Sequence, residues 1–560
     1  MVSKPVTCRS IWRSVLLTSL VACSGAKGTG DEHSKPDLVL YGGDVRTMDP
    51  TNPKATAVAI AGDKIIAVGS DADIRKLGAT REISLAGKTV TPGLIDAHCH
   101  LYGLGVDMER VSVRQLDSAE AVAKVVAEVA ASRPAGEWLL GRGWDQNRWP
   151  GQQFPTRAVL DAVASDRPVL LRRVDGHAIW VNTKALEAAK VTKETKDPAG
   201  GKILRDDKGE PTGVFIDNAT ALIDRAVPAD NSDAIERRLR AASKVAVTHG
   251  LTGVHDMGIG DETAAVYEKL AAANELPLRV YGFLSGDAAN LARVRQPPKP
   301  AVGRFVMRAV KYFADGALGS RGARLYVEYA DEPGNRGLWV TEPEALTSAV
   351  ETAVGGGWQV GVHAIGDAAI GAVLDSFIRA DKKFPGGDHR MRIEHTQVIA
   401  PQDIARMVEV KAIASMQPTH ATSDMPWAEA RIGGDRIKGA YAWRTMLNKG
   451  IPLAAGSDFP VEDVPPLLGI YAAVTRQDAK GEPAGGWLPK QKLTLDEAIA
   501  AFTTGAAYAQ FAEDTRGMIA VGKLADLTVF DRALAPDKTL LETKVALTIV
   551  GGKIEHEAAR

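Results

Sequence analysis

Between residues 91 and 460 the chain repeats one pattern, a short apolar run followed by a stretch with apolar positions at helical spacing. The runs are GLIDAH (93–98), TGVHDM (252–257), LRVYGFL (278–284), FVMRAVKYF (305–313), WQVGVHA (358–364), MRIEH (391–395), AIASMQ (412–417) and IPLAAGS (451–457). Helical periodicity fills the intervals, as in AIERRLRAASKVAVTHG, EALTSAVETAVGGG and PQDIARMVEV. Parallel strands joined by crossover helices predict an α/β fold, the (β/α)8 or TIM barrel.

Two regions depart from this rhythm. Residues 37–90 and 516–560 read as short strands separated by turn signals (DLVLYGG, AVAIAGDKIIAVGS, VALTIVGGKIEHE). They predict one small β-sandwich built from both ends of the chain, flanking a barrel over 91–515. The interval at about 102–240, between the first and second strands, is too long for a barrel loop and predicts an inserted subdomain. It is rich in Trp and Arg (GRGWDQNRWPGQQF, RPVLLRRVDGHAIWVN). A loop after a barrel strand opens on the catalytic face, so the insert is expected over the mouth as a lid or wall.

Composition narrows the class without naming it. The 560 residues are 45% hydrophobic and 24% charged, with a formal net charge of -1. These are values for a globular protein, with no basic face for nucleic acid. The 55 glycines suit many tight strand–helix turns. At the N-terminus, Lys4, Arg9 and Arg13 precede a short apolar segment, SVLLTSLVA, ending in Leu20-Val21-Ala22-Cys23. This reads as an export signal over 1–22 with a lipobox, an ordinary secretory signal being the other reading. Cys23 is then the lipidated first residue, followed by a flexible tether over 23–36. The expected location is periplasmic or membrane-anchored, with the lipid as the one membrane contact. Of three cysteines, Cys99 alone remains in the folded body, which excludes an intramolecular disulfide there.

The chemistry concentrates where the apolar runs end. In TPGLIDAHCHL (91–101), His98 and His100 lie two apart on a strand and share a face. Two imidazoles at a strand end can grip a metal ion. Lys311, His363, His395 and Asp458 end later runs, so all six side chains would converge on one mouth. Imidazole and carboxylate ligands suit zinc or a similar divalent ion, one or two of them. For Lys311 the competing role is a salt bridge with Asp315. His255 and His420 fall near the mouth by the same register. Trp144 and Trp149 are candidates for a substrate wall or for the insert's own core, and His177 for the pocket or a structural hydrogen bond.

These motifs together resemble the amidohydrolase superfamily, and within it the YtcJ-like branch that includes N-substituted formamide deformylases. The resemblance is carried by TPGLIDAHCHL, GRGWDQNRW, DGHAIWVN, VKYFADGALGSR, VGVHAIGDAAI, RIEHTQ, SMQPTH, GSDFPVE and GKLADLTVFD. It implies that His98, His100 and Asp458 hold one metal and that His363 and His395 hold a second. It further implies that Lys311, carboxylated by CO2, bridges the two, and that Asp458 is the general base. Trp144, Asp145 and His177 become substrate-pocket residues. The expected activity is metal-dependent hydrolysis of an amide or formamide C–N bond in a small molecule. A deaminase and an ester or lactone hydrolase use the same ligands. A non-catalytic solute-binding lipoprotein is the rival from another class. Relatives in the family imply a homodimer.

Overall fold

The structure is a computed structural model, and residues 35–559 are described. The leader, Cys23 and all but the end of the tether lie outside the described residues. No helix among the described residues is long and apolar enough to cross a membrane.

Eight parallel strands form the central sheet: β1 (Leu94–Cys99), β2 (Leu251–Ile259), β3 (Arg279–Ser285), β4 (Phe305–Phe313), β5 (Gln359–Ala364), β6 (Arg392–His395), β7 (Ile413–Met416) and β8 (Leu453–Ala455). Their order in space is their order in sequence, the arrangement of a TIM barrel. Between β8 and β1 the gap is bridged by the residues just after each strand. Asp458 N donates to His98 O at 2.7 Å, and His100 N to Phe459 O at 2.8 Å. The Asp96 carboxylate accepts from both the backbone N and the Oγ of Ser457. The seam of the barrel is thus tied at the candidate site.

The interval after β1 builds a separate layer. Six strands pair in the order Gly201–Arg205, Pro211–Asp217, Ala178–Val181, Val169–Arg173, Leu139–Trp144, Val111–Ser112. Each face of this sheet has its own apolar core. Helix α1 (Ser232–Thr248), which feeds β2, packs instead with the barrel core through Ile235, Leu239, Ala242 and Ala246. Their spacing of three to four residues puts them on one helical face, and Asn231 caps the first turn by accepting from Ala234 N. The insert therefore ends before residue 232 rather than near 240, because the helical pattern there answers the barrel.

At the other end of the barrel, a six-stranded sheet is built half from each terminus. Lys553–Glu557, Val545–Val550 and Leu527–Phe530 pair onward to Thr89–Pro92, Asp44–Arg46 and Lys54–Ala55. It faces a four-stranded sheet from residues 38–84, and the two share one core that includes Leu40, Ile60, Leu527 and Ile549.

Gly93 joins Thr89–Pro92 to β1. A Cβ there would sit 2.2 Å from Thr252 Oγ1 and 2.8 Å from Thr252 Cβ on the paired strand. Thr252 is buried, β-branched and engaged with Leu94 O. Gly93→Ala should therefore destabilise by about 1–3 kcal/mol, as overpacking does, and show as a lowered Tm in thermal denaturation. An unchanged Tm would mean that β1 and β2 part without cost.

Candidate active site

β1, β4, β5 and β6 and the turn after β8 deliver His98, His100, Lys311, His363, His395 and Asp458 to one mouth. The His98 and His395 ring centroids lie 4.7 Å apart, and those of His363 and His395 4.6 Å. Asp458 Oδ1 is 3.2 Å from His100 Nε2 and 3.6 Å from His98 Nε2. Lys311 Nζ lies 3.4 Å from His98 Nε2. His395 and Asp458 both adopt left-handed backbone, φ 74° and 63°. That is unusual for residues with a Cβ and typical of functional turns. By strand alternation His395 would face away from Glu394; the turn swings it back to the mouth.

Each imidazole is oriented by its outer nitrogen. His98 Nδ1 bonds to Glu394 Oε2 at 2.6 Å, His100 Nδ1 to Met257 O at 3.1 Å and His395 Nδ1 to Gln417 Oε1 at 2.7 Å. This leaves their Nε2 atoms for the centre. His363 is turned the other way, its Nε2 3.4 Å from Gly316 O, which leaves Nδ1. Burial lowers the pKa of His98 to about 4, assisted by the Lys311 ammonium. Burial also holds His363 and His395 well below the ordinary histidine value. Burial thus favours the neutral form of all three rings, the form that keeps a lone pair. Burial brings Lys311 down to about 8. For Asp458 burial acts upward, but His98, His100 and His395 outweigh it and keep the carboxylate ionised.

This geometry fits a divalent cation. Donor atoms of His98, His395 and Asp458 all lie within 4.8 Å of one another, and all three residues are buried. Asp458 Oδ1 is buried and accepts no hydrogen bond among the described residues. Outer nitrogens held by a carboxylate, an amide and a carbonyl are the second layer that metal-binding histidines need. Lys311 makes no pair with Asp315. That carboxylate accepts from the backbone N–H groups of Ile365, Gly366 and Arg324 instead.

The weaker candidates separate into two groups. His177 sits at the mouth, its ring 4.9 Å from His363 and its Nδ1 2.7 Å from Asp217 Oδ1. Burial disfavours its charged form, but Asp217 more than compensates and raises its pKa. His420 is also there, with Nε2 3.7 Å from Asp458 Oδ2. Trp144 is not a pocket residue: fully buried, it packs against Trp149, Trp180 and Phe154 and donates to Leu171 O. His255 is not one either. It lies inside the barrel with no exposed surface, its Nδ1 accepting from Arg392. Asp145 is engaged by Arg173 and accepts from Asn147 N, holding the rim.

Asn147 and Arg431, bonded at 2.7 Å, join this rim to the loops of the barrel, and Asn147 also reaches Gly319 O. Arg114 donates to the Pro460 and Val461 carbonyls beside Asp458. The insert thus contacts the loops around the mouth. Sequence reasoning missed Glu394, Arg392, Gln417 and Asp96. Arg392 and Glu394 lie two apart within RIEHTQ, the same spacing that singled out His98 and His100.

The amidohydrolase family model matches residues 81–556. The chain belongs to this family. It is 37% identical to the "Putative amidohydrolase YtcJ" of Bacillus subtilis over 93% of this chain and 99% of that one. It is 28% identical to the "N-substituted formamide deformylase" of Arthrobacter pascens, over 93% and 98%. An uncharacterized metal-dependent hydrolase from Pyrococcus horikoshii superposes with a TM-score of 0.71 at 26% identity, covering 89% of this chain and 97% of that one. Among amidohydrolases, then, this is a barrel hydrolase with a His–His–Asp cluster suited to a metal.

Proposed function

We propose that the protein hydrolyses an amide or formamide C–N bond in a small molecule, with Asp458 as the proton carrier. The observation that supports this best is the ionised, buried Asp458 carboxylate, free of hydrogen bonds at Oδ1, among imidazoles held with lone pairs inward. The named activity of the formamide deformylase relative points to the same bond type.

His98, His100 and Asp458 would hold one divalent ion, zinc by the character of the donors, and His363 and His395 a second. When bound, such an ion acts as a Lewis acid and brings the pKa of water to about 7. Lys311, part of whose population is neutral amine near its lowered pKa of about 8, can react with CO2 to give a carbamate and a proton lost to solvent, and the carbamate oxygens would serve as ligands. Asp458 takes the proton of the attacking water and returns it to the departing nitrogen. His177, whose charged form is favoured by Asp217, would donate from Nε2 to the substrate's polar group. The insert keeps bulk water from the mouth and shapes the substrate that fits. The export signal, the lipid at Cys23 and a homodimer complete the proposal for the whole protein.

The test is a panel of N-formyl, N-acyl and cyclic amides scored for amine release, run on metal-loaded, chelated and reloaded protein. Amine release should vanish on chelation and return on reloading with zinc. Equal behaviour of the three preparations on every compound would overturn the proposal. Release of ammonia from an aminated ring, or of alcohol from an ester, would move it to the deaminase or esterase reading.

A further inference from the structure

The chain enters the insert through Glu109 and Arg110 and leaves it through residues 227–230. These two linkers face Leu140 and Leu170 of the insert sheet across a cleft of about 380 Å³. A second cleft of about 240 Å³, bordered by Trp138 and Arg133, shares Arg110, Leu140, Val227, Pro228 and Asp230 with it. The larger of the two falls in the range of about 300–1,000 Å³ common for small-molecule sites.

The charges of this cleft are unevenly satisfied. Asp224 is held by Arg172 at 2.6 Å. Asp230 is held by Arg238 and by the hydroxyl of Tyr102. Glu109 takes Arg237 at 2.9 Å and Arg238 at 2.8 Å. Each carboxylate of the cleft therefore has its cation. Arg110 has no ion pair and no side-chain hydrogen bond among the described residues, and its Nε is buried without a partner. Burial lowers its pKa, as does the neighbouring Arg172, while Asp107 and Asp224 act the other way without bonding to it. A guanidinium left this way favours an anion with two oxygens in one plane. Arg225 and Arg133, both exposed, add two further arginines without ion pairs among the described residues, while Leu140, Leu170, Val227 and Pro228 supply apolar walls.

We infer that this cleft is a binding site for a small organic carboxylate with an apolar body, seated on Arg110 and separate from the catalytic mouth. A ligand there would touch both linkers and the insert sheet at once. Arg172 donates to Gly176 O, beside His177 at the mouth. Occupancy would therefore stiffen the support of the lid.

Isothermal titration of the full chain with phenylacetate, phenethylamine and inorganic phosphate tests this. Phenylacetate should bind saturably and phenethylamine should not. Arg110→Gln should weaken binding by about tenfold or more, the cost of a lost charge-assisted hydrogen bond. Arg110→Lys keeps the charge without the fork and should fall between; it also guards against a folding defect in the first variant. Hydrogen exchange should show protection by phenylacetate at residues 109–113 and 225–231. Equal affinity in the wild type and both variants, protection confined to residues 456–462, or binding of phosphate alone would each overturn the inference.

Discussion

Asp458→Asn is expected to lower kcat by about 10²- to 10⁴-fold, the usual weight of a positioned general base, with little change in fold. The amide is isosteric with the carboxylate, so the left-handed turn and the bond from Asp458 N to His98 O can persist. What is lost is the capacity to take a proton among His98, His100 and His420, all within 3.7 Å of the carboxylate oxygens. Steady-state kinetics on any amide that releases amine would measure the loss, with metal content determined on the same preparation. A fall in kcat with metal retained assigns Asp458 to proton transfer. A proportional loss of metal and activity assigns it to holding the ion alone. Activity within a few-fold of wild type would remove Asp458 from the mechanism.

The barrel was legible because its signals are local. Each apolar run is short and ends in a turn, and the observed strands fall within two residues of the runs at every end, with β4 coinciding at both. Family motifs placed His98, His100, Lys311, His363, His395 and Asp458 at strand ends, and the structure brings these six side chains together. Depth was not legible. Alternation tells which face a side chain takes but not how far down the barrel it sits, so His255 reads like a mouth residue although it lies beneath His98's partners. Trp144 failed for a related reason: a Trp-rich segment fits a substrate wall or a core equally, and only the assembled sheet decides. The boundary near 240 moved because helix α1 follows the insert in sequence but answers the barrel in packing. Glu394 and Arg392 were hidden as ordinary charges in an apolar strand. Nothing local shows that their partners come from β1, β2 and β7.

Arg392→Met is expected to destabilise the protein by about 3–5 kcal/mol, the cost of removing one member of a buried ion pair. Arg392 is fully buried and holds Glu394 at 2.8 Å, Ala97 O at 2.7 Å, and Ser415 Oγ and His255 Nδ1 at 2.8 Å each. It ties β6 to β1, β2 and β7 across the barrel. Its loss leaves Glu394 without its guanidinium partner in the interior, where Arg392 and His98 together otherwise keep that carboxyl well below the usual range against the upward effect of burial. The resulting rise in the Glu394 pKa would replace the acceptor of His98 Nδ1–H by a carboxylic acid and release the ring from its tautomer. Glu394→Gln separates the two effects. It removes the buried negative charge but leaves Arg392 its other acceptors, so the stability loss should be smaller. Metal affinity should still drop by about 10- to 100-fold, as for other lost second-layer carboxylates. Chemical denaturation measures the first quantity and metal competition with a chromophoric chelator the second. If Glu394→Gln leaves metal affinity unchanged, the carboxylate on His98 serves packing alone, and the orientation of the imidazole must come from β1 itself.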